Sequence, residues 1–221
     1  MAKRIPLKDR TLPRYSRGEE IMNMVTHIVG GGLGIVVLVL CLIRAEGVCE
    51  VTGSAVYGIS MIALYAVSSI YHGLKPSMGK KVMQVIDHCT IYILIAGTYT
   101  PILLTAFRPV YPMICWGLLV MEWTLAVLAA ILTAIDLKKY NVFSMACYIF
   151  MGWGIIFFLP QTMEVVSRPG FFWLLSGGIA YTVGAVLYGI GSKKPWMHSV
   201  FHIFVVLGSL LQFLTIYLYV L

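Results

Sequence analysis

The chain has 221 residues, of which 60% are hydrophobic and only 11% are charged. A soluble domain usually carries about 25% charged residues, so the composition excludes an ordinary soluble globular protein and indicates an integral membrane protein. The net charge is +7, but the basic residues are scattered among short loops and an N-terminal arm. This scatter fits membrane topology better than a nucleic-acid-binding patch, and we expect no nucleic-acid partner.

Seven apolar segments follow one another along the chain, each long enough to cross a bilayer core as a helix of about 20 residues. They lie at 21–43, 52–73, 83–106, 112–135, 142–163, 171–191 and 197–220. The predicted fold is all-α, with a basic cytoplasmic arm over 1–20 and a single seven-helix transmembrane domain over 21–221. Pro101 and Pro160 should kink the third and fifth helices, unless the fifth ends near Pro160.

The positions of lysine and arginine predict the orientation of these helices. If the N-terminus lies inside, all but three of the 16 basic residues face the cytoplasm. The inner ones are Lys3, Arg4, Lys8, Arg10, Arg14, Arg17, Lys75, Lys80, Lys81, Lys138, Lys139, Lys193 and Lys194. Only Arg44, Arg108 and Arg168 then face outward. The positive-inside rule therefore predicts that the N-terminus lies inside and the C-terminus outside. We expect a multi-pass protein of the cell (plasma) membrane.

The five cysteines do not form a recognisable metal-binding motif, because no CxxC pair occurs. Four of them lie in apolar segments and Cys49 is predicted to lie in a loop. We expect buried free thiols, with a single disulfide as the alternative.

Titratable side chains gather near one side of the predicted bundle. They are His27, His72, Asp87, His88, His198 and His202, from the first, second, third and seventh helices. On the predicted topology all of them fall in the cytoplasmic leaflet, a bias that scattered core histidines would not show. Polar, titratable groups inside hydrocarbon are costly, so the cluster is a functional-site hypothesis.

The spacing of the histidines favours a metal ion. His198 and His202 are four residues apart and share a helix face. With His72 they can offer three nitrogens at about 2.0–2.1 Å from zinc and leave a fourth position open, so we predict about one Zn²⁺ per chain. Haem fits less well, because it normally takes ligands from different helices. We place Asp87 beside the metal as the base; the adjacent His88 points about 100° away, so only one of the two should face the centre.

Further polar residues extend the predicted site. Ser68, one turn before His72, would contact the site or stabilise an oxyanion. Glu20, Asn23 and His27 form one stripe of the first helix. Glu122 is a lone carboxyl in the fourth helix, and the sequence assigns it no role.

Four stretches of the sequence resemble the haemolysin III family, within the wider group of progestin and adiponectin receptor-like seven-helix proteins. They are EEIMNMVTHIVG (19–30), SSIYHGL (68–74), IDHCTIYILIAGTYTP (86–101) and HSVFH (198–202). The resemblance implies that His72, His198 and His202 bind zinc and that Asp87 and Ser68 lie beside it. It gives Glu20, Asn23 and His27 a surrounding or structural part.

The larger superfamily that the chain resembles includes alkaline ceramidases, which hydrolyse a lipid amide. The resemblance therefore implies a zinc-dependent hydrolase that acts on a lipid amide or ester from the inner leaflet. A membrane lipid would be the substrate or ligand, and the oligomeric state is not predicted. Three alternatives remain: a non-catalytic, zinc-stabilised lipid sensor, a membrane-lytic haemolysin with cytolytic activity, as the family name implies, and an ion transporter that uses Glu122.

Overall fold

The computed structural model describes residues 5–191 and 194–221. In this part of the chain it contains seven helices long and apolar enough to cross a membrane, and no strand, which confirms the predicted all-α class. They are α1 Arg17–Arg44, α2 Val48–Gly73, α3 Met78–Val110, α4 Pro112–Ile135, α5 Asn141–Val165, α6 Ser167–Gly191 and α7 Met197–Tyr219. Lys3, Arg4 and Lys193, which entered the orientation argument, lie outside the described residues, and the orientation stays a prediction.

Helix α1 begins at Arg17, within the stretch predicted to be the arm. Ser16 caps it: the Glu19 N–H donates to Ser16 Oγ at 3.3 Å, and the Ser16 N–H donates to Glu19 Oε2 at 2.8 Å. This reciprocal pair satisfies two N–H groups that the first turn of a helix otherwise leaves free. The cap therefore brings Glu20 into the regular helix, where it shares a face with Asn23 and His27.

Both prolines adjoin irregular helix. After Pro101, α3 continues through a π-helical stretch, Ile102–Phe107, and a last turn, Arg108–Val110. In α5 a 3-10 stretch, Gly154–Phe158, precedes the final segment Leu159–Val165. Pro160 lies in the first turn of that segment, where its missing N–H removes no helical hydrogen bond. The fifth helix therefore continues past Pro160 to Val165. The alternative prediction, that it ends near Pro160, is wrong.

The helices pack as sequential neighbours, and the chain ends bring α1 and α7 together. Helix α1 packs on α2 and α7, α3 packs on α2 and α4, and α6 packs on α7, whereas α5 makes sparser contacts. At Gly34 a Cβ atom would lie 3.2 Å from the backbone nitrogen of Ile62, so α1 and α2 approach closely there. The cysteines are free, and Cys49 lies in the first turn of α2 rather than in a loop, because α2 begins at Val48.

Candidate metal centre

Three imidazole rings meet where α2 ends and α7 begins. One ring nitrogen from each of His72, His198 and His202 lies within 4.8 Å of the others. Nε2 of His198 is 3.3 Å from Nε2 of His72 and 3.0 Å from Nε2 of His202. A tetrahedral ion with nitrogen ligands at about 2.0–2.1 Å sets those ligands about 3.4 Å apart, so the observed spacing fits one ion of this size.

Hydrogen bonds on the far side of two rings fix which nitrogen carries the proton. Nδ1 of His72 donates to Glu20 Oε2 at 2.7 Å, and Nδ1 of His202 donates to the backbone oxygen of Asn23 at 3.2 Å. Carboxylate and carbonyl oxygens only accept, so in the neutral rings both Nε2 atoms present lone pairs to the centre. A proton on Nε2 of His198 can hydrogen-bond to only one of these two lone pairs. A cation can instead be bound by the Nε2 atoms of all three histidines. The donor set therefore fits a metal ion that prefers imidazole, such as zinc.

The first-helix stripe supports the ring of His202. Besides its backbone contact, Asn23 accepts a hydrogen bond from Ser199 Oγ at 2.6 Å through its side-chain oxygen. The ring of His27 stacks on that of His202, with centroids 3.7 Å apart and planes 11° apart. Asn23 and His27 thus touch a histidine of the cluster, and neither of them belongs to the group of three nitrogens.

Ser68 and Asp87, the two predicted catalytic residues, lie in the wall of a cavity beside the cluster. The cavity has a volume of about 200 Å³, and His198 and His202 also line it. The rest of its wall is mainly apolar and comes largely from α3, α5, α6 and α7. The structure therefore places a polar, titratable end and an apolar interior in one cavity.

His88 and Asp87 both line this cavity. Which of the two faces the three nitrogen atoms stays a prediction. Nδ1 of His88 donates to the backbone oxygen of Gln84 at 2.8 Å, which holds the ring along its own helix. Asp87 Oδ2 lies 3.8 Å from that nitrogen.

Three further side chains hold this end of the bundle together, and their contacts were not predicted from the sequence. Glu19 joins the starts of α1 and α7, since its Oε1 accepts the N–H of Trp196 at 2.7 Å. Tyr15 stacks on His198, with centroids 4.9 Å apart and planes 19° apart, and burial raises the pKa of its phenol. Lys80 donates to Glu20 Oε1 at 2.6 Å. Only Glu19 had a local signal, the S-x-x-E capping pattern that starts at Ser16.

Glu122 lies away from the cluster, in α4. It is fully buried, and neither carboxyl oxygen has a hydrogen-bond partner among residues 5–191 and 194–221. A Cβ atom at Gly154, where the 3-10 stretch of α5 begins, would lie 3.3 Å from its Oε1. Because Glu122 lies away from the three histidines, it has no part in the candidate metal centre.

Comparison with known proteins identifies the family. The family profile described as "Haemolysin-III related" matches residues 15–213. The chain belongs to the haemolysin III family. It is 38% identical over 206 residues to "Hemolysin-3" of Bacillus cereus, covering 92% of each chain. It is 35% identical over 204 residues to "Hemolysin-3 homolog" of Bacillus subtilis (strain 168), covering 91% of this chain and 94% of that one.

The wider resemblance is also found. Over 220 residues the chain is 24% identical to "Adiponectin receptor protein" of Drosophila melanogaster, covering 88% of this chain and 49% of that one. No solved structure matches the chain. The haemolysin III family and the adiponectin receptor-like group, both expected from the four motif stretches, are thus confirmed.

Proposed function

We propose that this haemolysin III family member is a zinc-dependent membrane hydrolase that cleaves an amide or ester bond of a lipid. The observation that carries the proposal is the convergence of three Nε2 atoms, two of them with their lone pairs turned inward, at the polar end of a mainly apolar cavity. His72, His198 and His202 would hold about one zinc ion per chain. The cavity would take the lipid tail and leave the bond to be cleaved near the histidines.

A bound zinc ion would supply Lewis-acid chemistry, polarising a carbonyl and favouring loss of a proton from water at neutral pH. The other roles belong to the protein. Asp87 would accept a proton from the attacking water and return it to the leaving nitrogen or oxygen as that bond to the acyl carbon breaks. Ser68 would donate a hydrogen bond to the oxygen that gains negative charge. The products would be a fatty acid and an amine or alcohol.

We also propose on which side of the membrane the histidine cluster lies. Positive-inside counting puts the N-terminus, and with it the histidine cluster, on the cytoplasmic side of the cell membrane. Helices α5 and α6, which contact each other sparsely, both contribute to the cavity wall. A lipid could therefore approach sideways from the inner leaflet.

A non-catalytic role for zinc is the second candidate, because the cluster and its partners join α1, α2 and α7. A structural ion in this place would hold the bundle together for lipid sensing. The two candidates differ in what they require of Asp87, which lines the cavity and is not one of the three nitrogen donors.

The deciding experiment measures zinc content by mass spectrometry and amide hydrolysis with ceramide in detergent micelles, for the wild type and Asp87→Asn. We expect about one zinc per chain in both proteins and hydrolysis only in the wild type. Asp9→Asn, an exposed substitution of the same chemistry in the arm, should retain both properties. Zinc in both proteins without hydrolysis of ceramide, simple acyl amides or lysolipids would favour the structural role, and a wild type without metal would reject both candidates.

A further inference from the structure

Lys80 is an unusual lysine for its surroundings. Among residues 5–191 and 194–221 it is the only lysine or arginine that is buried, with a side chain 4% exposed. An ammonium group removed from water costs several kcal/mol unless it is paired and hydrogen-bonded. Its partners therefore indicate what it does.

The partners of Lys80 come from two other helices. Its Nζ donates to Glu20 Oε1 of α1 at 2.6 Å and to the backbone oxygen of Leu74 at 2.9 Å. Leu74 is the C-cap of α2, where a cation interacts favourably with the helix dipole and the free carbonyl groups. Nζ also lies 5.1 Å from the centre of the Tyr71 ring. The ammonium group thus joins the start of α3 to the start of α1 and the end of α2.

Glu20 passes this connection on to the histidine cluster. One of its oxygens accepts from Lys80 and the other accepts from Nδ1 of His72 at 2.7 Å. A carboxylate held at both oxygens cannot turn away from the imidazole. Partners that orient a metal-ligating histidine in this way typically change metal affinity by about 10–100-fold when they are removed.

We propose that Lys80 is a positioning residue of the metal centre: it holds Glu20, and through Glu20 it orients His72 and sets the metal affinity. The inference rests on the proposed zinc site and extends it to a residue that does not touch the ion. Lys80 has no part in the proposed chemical step.

A double-mutant cycle in the full-length, detergent-purified protein tests this role. Zinc affinity is measured by chelator competition in the wild type, Lys80→Met, Glu20→Gln and the double variant. Each single substitution should weaken zinc binding by about 10–100-fold. The double variant should bind zinc as tightly as the single variant with the lower zinc affinity, because Lys80 acts through Glu20. Lys80→Gln, which can still donate to Leu74, takes the place of Lys80→Met if that variant does not fold.

Lys81→Met is the matched control. Lys81 is the next residue of α3, but its ammonium group contacts the backbone oxygen of Lys8 in the arm. Its zinc affinity should equal that of the wild type. A general structural role of Lys80, through Leu74 and Tyr71, would instead produce a loss that adds to that of Glu20→Gln.

Each contrary outcome has a separate meaning. Unchanged affinity in Lys80→Met, or additive losses in the double variant, would overturn the positioning role while a zinc-loaded wild type leaves the proposed function standing. A wild type that binds no zinc would overturn both. A cobalt(II) spectrum of each folded variant adds a check, because a reoriented His72 should alter the absorption bands while the fold, followed by circular dichroism, stays intact.

Discussion

A carboxyl group on the side of the bundle formed by α1, α2 and α7 has different surroundings from a carboxyl group on the side formed by α4 and α5. On the first side, Glu20 accepts hydrogen bonds from His72 and Lys80, one at each oxygen. On the second, neither oxygen of Glu122 has a partner among the residues that the structure describes. From the sequence, Glu20 was predicted to belong to the surroundings of the site, whereas Glu122 was given no role in it.

Packing explains part of the difference. Helix α1 lies against both α2 and α7, so polar groups on three helices can reach one another. Helix α5 contacts its neighbours sparsely and becomes 3-10 helical at Gly154–Phe158, beside Glu122. What distinguishes a site from an isolated polar residue is therefore the convergence of satisfied partners from several helices, and the following experiments test that distinction.

The largest effect should come from removing a histidine of the cluster. In His202→Ala one of the three proposed nitrogen ligands is lost, and zinc affinity should fall by more than the roughly 10–100-fold typical of an outer partner. His88→Ala is the matched control, since His88 bonds its own helix at Gln84 and is not one of the three donors. Equal zinc content in both purified variants, measured by mass spectrometry, would contradict the assignment of the ligands.

Substitutions of the two carboxyl groups, Glu20 and Glu122, should differ in their effect on zinc affinity. Glu20→Gln should weaken zinc binding by about 10–100-fold, because the amide is a poorer acceptor for Nδ1 of His72 and loses the attraction to Lys80. Glu122→Gln keeps the shape of a side chain that lies away from the histidines, and zinc affinity should not change. If chelator competition gave the two variants similar losses, the functional division between the two sides would be wrong.

The sequence was sufficient to predict the fold and the meeting of three histidines. Apolar windows located all seven helices, and the polar residues near one end of four of them predicted that His72, His198 and His202 would meet. Helix ends were less accurate, because caps such as Ser16 extend a helix beyond its apolar part. The role of zinc and the roles of Asp87 and Ser68 remain predictions.

The missed residues share a physical reason. Lys80 contacts Glu20 across 60 positions of sequence, and Tyr15 stacks on His198 across the whole chain. No local periodicity records such contacts, since they depend on how α1, α3 and α7 are aligned. Lys80 was instead counted among the inner basic residues, a reasonable prediction for a lysine near a helix end.

A packing substitution should separate the stability of the bundle from the metal centre. At Gly53 in α2 a Cβ atom would lie 2.6 Å from Cα of Pro101, so Gly53→Ala must push α2 away from α3. We expect a loss of about 1–3 kcal/mol in the free energy of unfolding, from overpacking. Gly32→Ala, with nothing within 4 Å of its Cβ, should not be destabilised. Thermal unfolding in detergent measures both; zinc loss in folded Gly53→Ala would show that the centre depends on this distant contact.

A smaller effect is expected at Tyr15, which covers one face of His198. Stacked aromatic rings contribute about 0.5–1.5 kcal/mol beyond their buried area, so Tyr15→Leu should weaken zinc binding by roughly 2–10-fold. Tyr140→Leu removes a tyrosine that packs on Phe143 instead and should leave zinc affinity unchanged. Faster release of zinc to a chelator in Tyr15→Leu alone would support the covering role, and equal release rates would reject it.

The smallest predicted effect concerns the contact between the arm and the end of α4. Asp136 Oδ1 accepts the N–H of Lys139 at 3.1 Å, and Oδ2 accepts the N–H of Ile5 at 3.3 Å. These backbone donors, Lys139 first, lower the pKa of Asp136 from its ordinary value of 3.8. A lowered pKa means that the carboxylate stabilises the docked arm fully above the ordinary pKa of 3.8. This contribution is lost as the pH falls through the lowered pKa.

Hydrogen–deuterium exchange of the arm, corrected for intrinsic rates, can follow this loss from about pH 6 to about pH 3. Protection of the Ile5 region in the wild type should decrease at the acidic end. Asp136→Asn retains an acceptor oxygen but cannot ionise, so its protection should be lower at neutral pH and independent of pH. Arg10 holds the same junction through a hydrogen bond that it donates to the backbone oxygen of Ile135 at 2.8 Å. If the wild type and Asp136→Asn lost protection at the same pH values, a group other than Asp136 would control the contact between the arm and the end of α4.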